Sequence, residues 1–329
     1  MMRLSVIWNV DRTIDASGSS PLAEQILDRW PHDPGSARFF RSSANFLYVL
    51  RYDGKRRFLR FADRAERPRT AIEAEIALLK WLAQEGLAVV RPVRSHNERS
   101  VETVATDWGT FHAVVFEALE GTQLELDELD AAGFRAWGAA LGQLHATIRN
   151  YPGSVSSARS TMQDHLAQAR YLLRDDAPAV REELHRLESS LDTLPVNRVT
   201  YGLIHFDFEL DNLIWQDRTA QMLDFDDCSR SWYVADIAFA LRDHFDAGAD
   251  LHDPRVRAFL AGYAAHAPLA DEQIAQIPLF LRLGRLIQFA RITRALDVTK
   301  DPAQPDWLHR LIDKLEDRRD AYSLMLAGE

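Results

Sequence analysis

One cysteine, no long apolar run and a shortage of positive charge exclude several structural solutions at once. Cys228 is the only thiol, so neither an intrachain disulfide nor a multi-cysteine zinc site can form, which fits a reducing compartment. Cys228 itself reads as a small core or loop residue. No stretch of about 18 or more apolar residues is present to span a bilayer. The N-terminal MMRLSVIWNVDRTID places acids where a secretory signal needs continuous apolar residues, so the chain is expected to stay in the cytoplasm with no membrane partner. Lys and Arg number 39 against 49 Asp and Glu, and the net charge of −10 argues against non-specific binding to nucleic acid. The same acidity is compatible with a cationic small-molecule partner. Internal repeats and low-complexity linkers are also lacking. What remains is 329 residues, 47% of them hydrophobic, enough for a sizeable core and two lobes.

Residues 1–20 read as an irregular lead-in, followed by a short helix, PLAEQILDRW, that PHDPG breaks. From Ala37 the pattern becomes strand-like: ARFFRSS, NFLYVLRY and KRRFLRFAD, with Asp53-Gly54 as a tight hairpin signal between the last two. TAIEAEIALLKWLAQEG places Ile72, Ile76, Leu79 and Leu82 on one helical face and stops at Gly86. SVETVATD and TFHAVVFEAL supply a second strand pair. A small lobe of five antiparallel strands and one helix is therefore expected over 37–118, with 1–36 as lead-in. Residues 119–329 read as a larger, mainly helical lobe, interrupted by the short strands GLIH, NLIW and AQMLDFDD.

That interruption holds the chemistry. GLIHFDFELDNLIW sets Asp207 and Asn212 five apart in a polar loop between apolar strands, and Asp224 ends the next strand. Magnesium takes one or two hard oxygen ligands from protein and the rest from water and phosphate. Asn212 and Asp224 can supply those oxygens, and Asp207 can orient or deprotonate a hydroxyl attacking a phosphoryl group. The alternative is a set of solvated loop acids. The ordered set beside buried strands favours chemistry, because charges are seldom placed there without partners.

HFDFELDN resembles the HGDLHPGN catalytic loop of the aminoglycoside phosphotransferase and choline kinase family, and LDFDD resembles that family's IDWED strand. The resemblance implies an α+β, protein-kinase-like two-lobe fold and a magnesium-dependent transfer of the γ-phosphate of ATP or GTP to a small-molecule hydroxyl. It makes Asp207 the catalytic base, Asn212 and Asp224 the metal ligands, and His205 a loop anchor. Asp236 in YVADIAFAL matches an aspartate that caps a helix and braces the loop, and Asp226 falls where a second acid is common. In the small lobe the resemblance asks for a cation on the third strand and a carboxylate on the following helix. Arg60 holds the first position. For the second, Glu73 is explained locally as a capping box with Thr70, whereas Glu75 lies on the apolar face and needs a buried cation. VVFEALEGTQL matches the segment that binds adenine, through the carbonyl of Glu117 and the amide of Leu119.

Departures are also visible. RSSANF stands where a glycine-rich phosphate loop is expected, leaving Ser42, Ser43 and Asn45 as donors. Phe206, Glu209 and Asp211 replace a glycine, a histidine and a glycine of the family loop, so the acceptor does not transfer from known relatives. Glu209 and Asp211 either contact an amine or are solvated. His145 reads as a packed helix histidine. Trp232 and Tyr233 read as acceptor-site lining or core, and Arg282, Arg285, Arg291 and Arg294 as shaping the acceptor pocket. A protein Ser/Thr kinase of the stress-response type and a catalytically silent nucleotide-binding pseudokinase are the alternatives. An aspartyl phosphatase using Asp224-Phe225-Asp226 fits poorly, since that motif belongs to the first strand of a parallel sheet.

Overall fold

Local turn chemistry sets the first sheet. In the computed structural model, which describes residues 1–152, 159–245 and 248–328, β1 (Arg38–Ser42), β2 (Phe46–Tyr52) and β3 (Lys55–Asp63) run antiparallel. Tyr52 pairs with Lys55, so the turn contains only Asp53 and Gly54, at φ 49° and 73°. Positive φ at both positions is the type I′ geometry, whose twist matches that of the flanking strands. β5 (Glu102–Thr106) pairs with β6 (Gly109–Glu117), and β6 pairs with β3. The sheet has six strands where five were expected: β4 (Pro92–Val93) pairs with Phe116 and Val115 of β6. Two residues show no alternation and a proline reads as a break, so the sequence conceals this strand.

Alternation along β3 turns Leu59 and Phe61 inward. There Phe61 stacks on Phe46 with centroids 5.2 Å apart and meets the edge of Phe111 at 5.4 Å. The same core takes Leu4, Ile7 and Val10 of α1 (Leu4–Asp11), so residues 1–20 are not irregular throughout. Their spacing of three is helical, but the segment is too short for periodicity to separate it from a loop. α2 (Pro21–Leu27) follows, with the Ser20 hydroxyl accepting from the Ala23 N–H. Ile292, Leu308, Ile312 and Leu315 complete this core from the far end of the chain. Glu66 joins both ends: it accepts from Arg3 at 2.5 Å and from Arg294 at 2.8 Å. Against the burial that pushes it up, the two arginines hold its carboxyl below the usual range.

α3 (Arg69–Gln84) buries Ile72, Ile76, Leu79 and Leu82 as expected. The helix already includes Arg69, so Thr70 lies inside its first turn rather than at the N-cap. Glu73 instead accepts from Arg69 at 2.8 Å.

Two compact units result. One comprises Met1–Ile76, Arg91–Ala118 and Gln288–Glu329; the other comprises Ala77–Val90 and Leu119–Ile287. In the second unit α4 (Ala131–Ile148) crosses the helix Pro254–Ala264 at backbone contact: a Cβ on Gly138 would sit 2.0 Å from the Phe259 carbonyl oxygen, and one on Gly262 would sit 2.0 Å from that of Arg135. β7 (Tyr201–Ile204) pairs with β10 (Ser229–Trp232), and β8 (Leu213–Gln216) with β9 (Thr219–Met222). β10 reads SRSW, and its buried serines hide it from an apolar pattern. Among the described residues no helix is long and apolar enough to cross a membrane.

Candidate active site

Asp236, wholly buried in the first turn of the helix Tyr233–Ala240, suspends the polar loop after β7. Its Oδ2 accepts the His205 N–H and its Oδ1 the Phe206 N–H, each at 2.7 Å. Backbone N–H groups only donate, so both carboxylate oxygens are acceptors here. The contact from His145 Nε2 to Oδ2 at 2.9 Å therefore requires the proton on Nε2. Burial lowers the His145 pKa and keeps the ring neutral, so Nδ1 accepts the Tyr263 hydroxyl at 2.8 Å. His145 is packed in the helix as expected, and it also braces Asp236 across 91 residues of sequence.

Phe206 occupies the left-handed region, φ 76°, at the position where the resemblance places glycine. A non-glycine residue there costs about 1–3 kcal/mol of backbone strain. The bond to Asp236 and a ring packed 4.7 Å from His165 and 5.1 Å from Phe239 offset it.

His205 Nε2 donates to the Leu223 carbonyl at 3.1 Å, which ties the loop to the residue before Asp224. The Leu223 N–H in turn donates to the Asn212 carbonyl at 3.1 Å. Asn212 Nδ2 donates to the Asp207 carbonyl at 2.9 Å and to Asp207 Oδ2 at 3.0 Å. This fixes the amide orientation and leaves Oδ1 as the Asn212 atom suited to a cation. Asp224, two residues past the end of β9, adopts φ 62°, and Asp226 is buried just after it. Among the described residues no group of three or more His, Cys, Asp and Glu is arranged to hold a metal. One amide oxygen and one carboxylate fit an ion that completes its shell with phosphate and water, as magnesium does.

Sequence reasoning missed Arg242. Its Nη2 lies 3.3 Å from Asp207 Oδ1, and its Nε pairs with Glu209. Burial pushes the Glu209 carboxyl up to about 8; Asp207 and Asp243 add to the rise and Arg242 opposes it. Glu209 also lines a small cavity of about 60 Å³ with Glu125, Trp137, Asp211, Asp243 and His244.

In the first unit Arg60 grips Glu75 with both ends of its fork, at 2.9 and 2.5 Å. Glu75 is only 1% exposed and Arg60 8%, so the pair is a buried one rather than a surface bridge. The Arg60 guanidinium also lies 5.0 Å from the Phe116 ring centre. Strand register places Phe58 on the Arg60 face, where Arg38, Phe40, Val49, Arg51 and Arg56 line a cavity of about 340 Å³ with it. Phe40 is 54% exposed there, its ring packed edge-on to Phe58 with centroids 5.7 Å apart. Ser43 and Asn45 lie in the tight turn after Ser42; the Ser43 N–H donates to the Asn45 carbonyl and its own carbonyl accepts from the Met2 N–H. The Glu117 N–H donates to Arg91 at 3.0 Å, and Leu119 begins the second unit. Trp232 and Tyr233 are core residues, 2% exposed each. Arg282 is committed to Glu183, and Arg294 to Glu66.

The profile of the APH family, described as a phosphotransferase enzyme family, matches residues 36–269. Amicoumacin kinase of Bacillus subtilis (strain 168) is 25% identical over 289 residues, 84% of this chain and 86% of its own length. A homoserine kinase of Methylorubrum populi is 33% identical over 256 residues, 75% of each chain. Among solved structures, an amicoumacin kinase in complex with AMP-PNP, Ca2+ and Ami superposes with a TM-score of 0.74 at 22% identity, covering 91% of this chain and 92% of that one. A spectinomycin phosphotransferase in complex with ADP and spectinomycin follows at 0.61 and 13%, covering 92% and 98%. These structures share the fold; the family profile, which spans most of the sequence, goes further, and the chain belongs to the APH phosphotransferase enzyme family.

Proposed function

We propose that this phosphotransferase is a magnesium-dependent kinase that moves the γ-phosphate of ATP or GTP to a hydroxyl of a small, cationic acceptor. The observation that carries the reading is Asn212, whose amide is locked onto Asp207 while its carbonyl is tied to the strand leading into Asp224. One residue thus joins the assigned base to the assigned metal turn. Asp207 takes the acceptor's hydroxyl proton as the acceptor oxygen bonds to the γ-phosphorus; the bond to the β–γ bridging oxygen breaks and the nucleoside diphosphate leaves. Asn212 and Asp224 hold magnesium, which when bound neutralises charge on the phosphates. Arg60, fixed by Glu75, steadies the α- and β-phosphates, and Ser42, Ser43 and Asn45 donate to phosphate oxygens.

The exposed ring of Phe40 beside Phe58 supplies apolar surface for the base, whose edge is read by the Glu117 carbonyl and the Leu119 amide. Nucleotide binding is thereby assigned to 37–118, and catalysis and acceptor binding to 119–329. His205 and Asp236 are supports. The acidic lining around Glu209 and Asp211 favours an amine on the acceptor. Kinases of amicoumacin, homoserine and aminopropanol among the similar proteins act on small molecules, which supports a metabolite-sized acceptor over a protein. The lone buried cysteine supports a cytoplasmic setting.

Calorimetric titration of ATP and GTP, with and without magnesium, into wild type and Asp224→Asn tests the site. Magnesium-dependent binding that weakens in the variant is expected. An acceptor panel of homoserine, amino alcohols and aminoglycosides follows, with Asp207→Asn as the inactive control. Failure of both nucleotides to bind overturns the reading, and binding without transfer to any hydroxyl points to a silent nucleotide-binding protein.

A further inference from the structure

We propose that Arg242 is a positioning residue of the transfer site, clamping Asp207 and Glu209 into one rigid acid–guanidinium–acid unit. The proposal rests on the assignment of Asp207 as the base.

Three observations carry it. First, the two oxygens of Asp207 are held by different elements: Oδ2 by Asn212 Nδ2 at 3.0 Å and Oδ1 by Arg242 Nη2 at 3.3 Å. A carboxylate gripped at both oxygens cannot swing about its terminal bond. Second, Asp207 and Glu209 stand two residues apart in the same loop, and Arg242 touches both. Without that shared guanidinium the two side chains lose their common anchor and the base loses one of its holds. Third, Arg242 lies just beyond the helix that carries Asp236. One short segment thus holds the loop's backbone through Asp236 and its side chains through Arg242.

Arg242 is 31% exposed, so it is not a core residue whose loss would collapse the unit. A planar fork reaches two carboxylates with different nitrogens, whereas the ammonium of lysine is a compact point charge. Lysine at this position neutralises but orients less well.

The test compares wild type with Arg242→Gln and Arg242→Lys, using magnesium-ATP with water and with homoserine as hydroxyl probes, alongside thermal melting and calorimetric ATP binding. The expected result for Arg242→Gln is a fall in kcat of about 100-fold, the cost of slight misplacement of a catalytic group. The KM for ATP, its Kd and the melting temperature stay near wild type, and Arg242→Lys recovers part of kcat. Unchanged kcat in Arg242→Gln overturns the proposal, as does a matching loss of ATP binding and melting temperature, which marks a merely structural role. If wild type turns over neither probe, the proposed function fails for these acceptors, and the crystal structure of Arg242→Gln decides the positioning role. A rotated Asp207 carboxylate supports it; Asp207 and Glu209 left in place overturn it.

Discussion

Asp236→Asn isolates what one oxygen does for the loop. The carboxylate accepts two backbone N–H groups at 2.7 Å and the His145 Nε2–H at 2.9 Å, all without solvent. An amide has one oxygen and one donor group. If the NH2 replaces Oδ2, His145 can change tautomer, accept it at Nε2 and donate from Nδ1 to Tyr263. The His205 N–H then faces a donor. If the NH2 replaces Oδ1, the Phe206 N–H does. Either way one buried backbone donor loses a charge-assisted partner. Hydrogen bonds to charged groups are worth about 1.5–3 kcal/mol, and a stranded buried donor costs about 1–3. A loss of about 2–4 kcal/mol follows. With a urea m-value of about 3 kcal/mol/M, the unfolding midpoint should fall by roughly 1 M. The loop also relaxes, so kcat should drop by about 100-fold if Asp207 shifts by about 1 Å. Tyr263→Phe serves as calibration, because it removes only a neutral bond worth about 1 kcal/mol. An Asp236→Asn midpoint equal to that of Tyr263→Phe, with wild-type kcat, would refute the reasoning.

Glu75→Gln removes the charge from a buried bidentate pair with Arg60 and should cost up to about 3–5 kcal/mol in urea unfolding. The double change Arg60→Met with Glu75→Leu should recover most of that stability but not the affinity for magnesium-ATP, a split that separates folding from phosphate binding. Gly138→Ala drives a methyl group into the Phe259 carbonyl oxygen, so calorimetric melting should show a loss of about 3 kcal/mol; a melting temperature equal to wild type would mean that the two helices do not touch there. His145 is held neutral by burial, while in the unfolded chain it titrates near its ordinary value of about 6.5. Below that pH the unfolded state takes up a proton that the folded state refuses, so stability falls as the pH drops. The urea midpoint of His145→Gln should therefore decline less than that of wild type between about pH 7.5 and 5.5, and parallel curves would contradict this account.

What the sequence shows and what it hides divide along the range of the interactions. β2, β3 and α3 are legible because alternation, the Asp53-Gly54 turn and a helical apolar face are local signals. β4 and β10 are not, since two residues have no period and SRSW buries its serines. The Arg60–Glu75 pair could be reasoned out from the cost of a lone carboxylate on an apolar face. Asp207 and Asn212 lie within one loop, so their proximity is nearly guaranteed by spacing. The link from His145 to Asp236 depends on how helices cross, which no local pattern encodes. Arg242 was hidden for another reason: a cation just past a helix C-terminus already has a sufficient explanation in the helix dipole.

The core that joins Leu4, Ile7 and Val10 to Ile292, Leu308, Ile312 and Leu315 has a consequence for synthesis. A ribosome releases the sheet of the first unit long before the helix that finishes its core. The second unit has all its residues once Ile287 has emerged, whereas the first must wait for Leu315. Until then the sheet lacks part of its apolar cover, and a nascent chain paused between those points exposes apolar surface that a chaperone can bind.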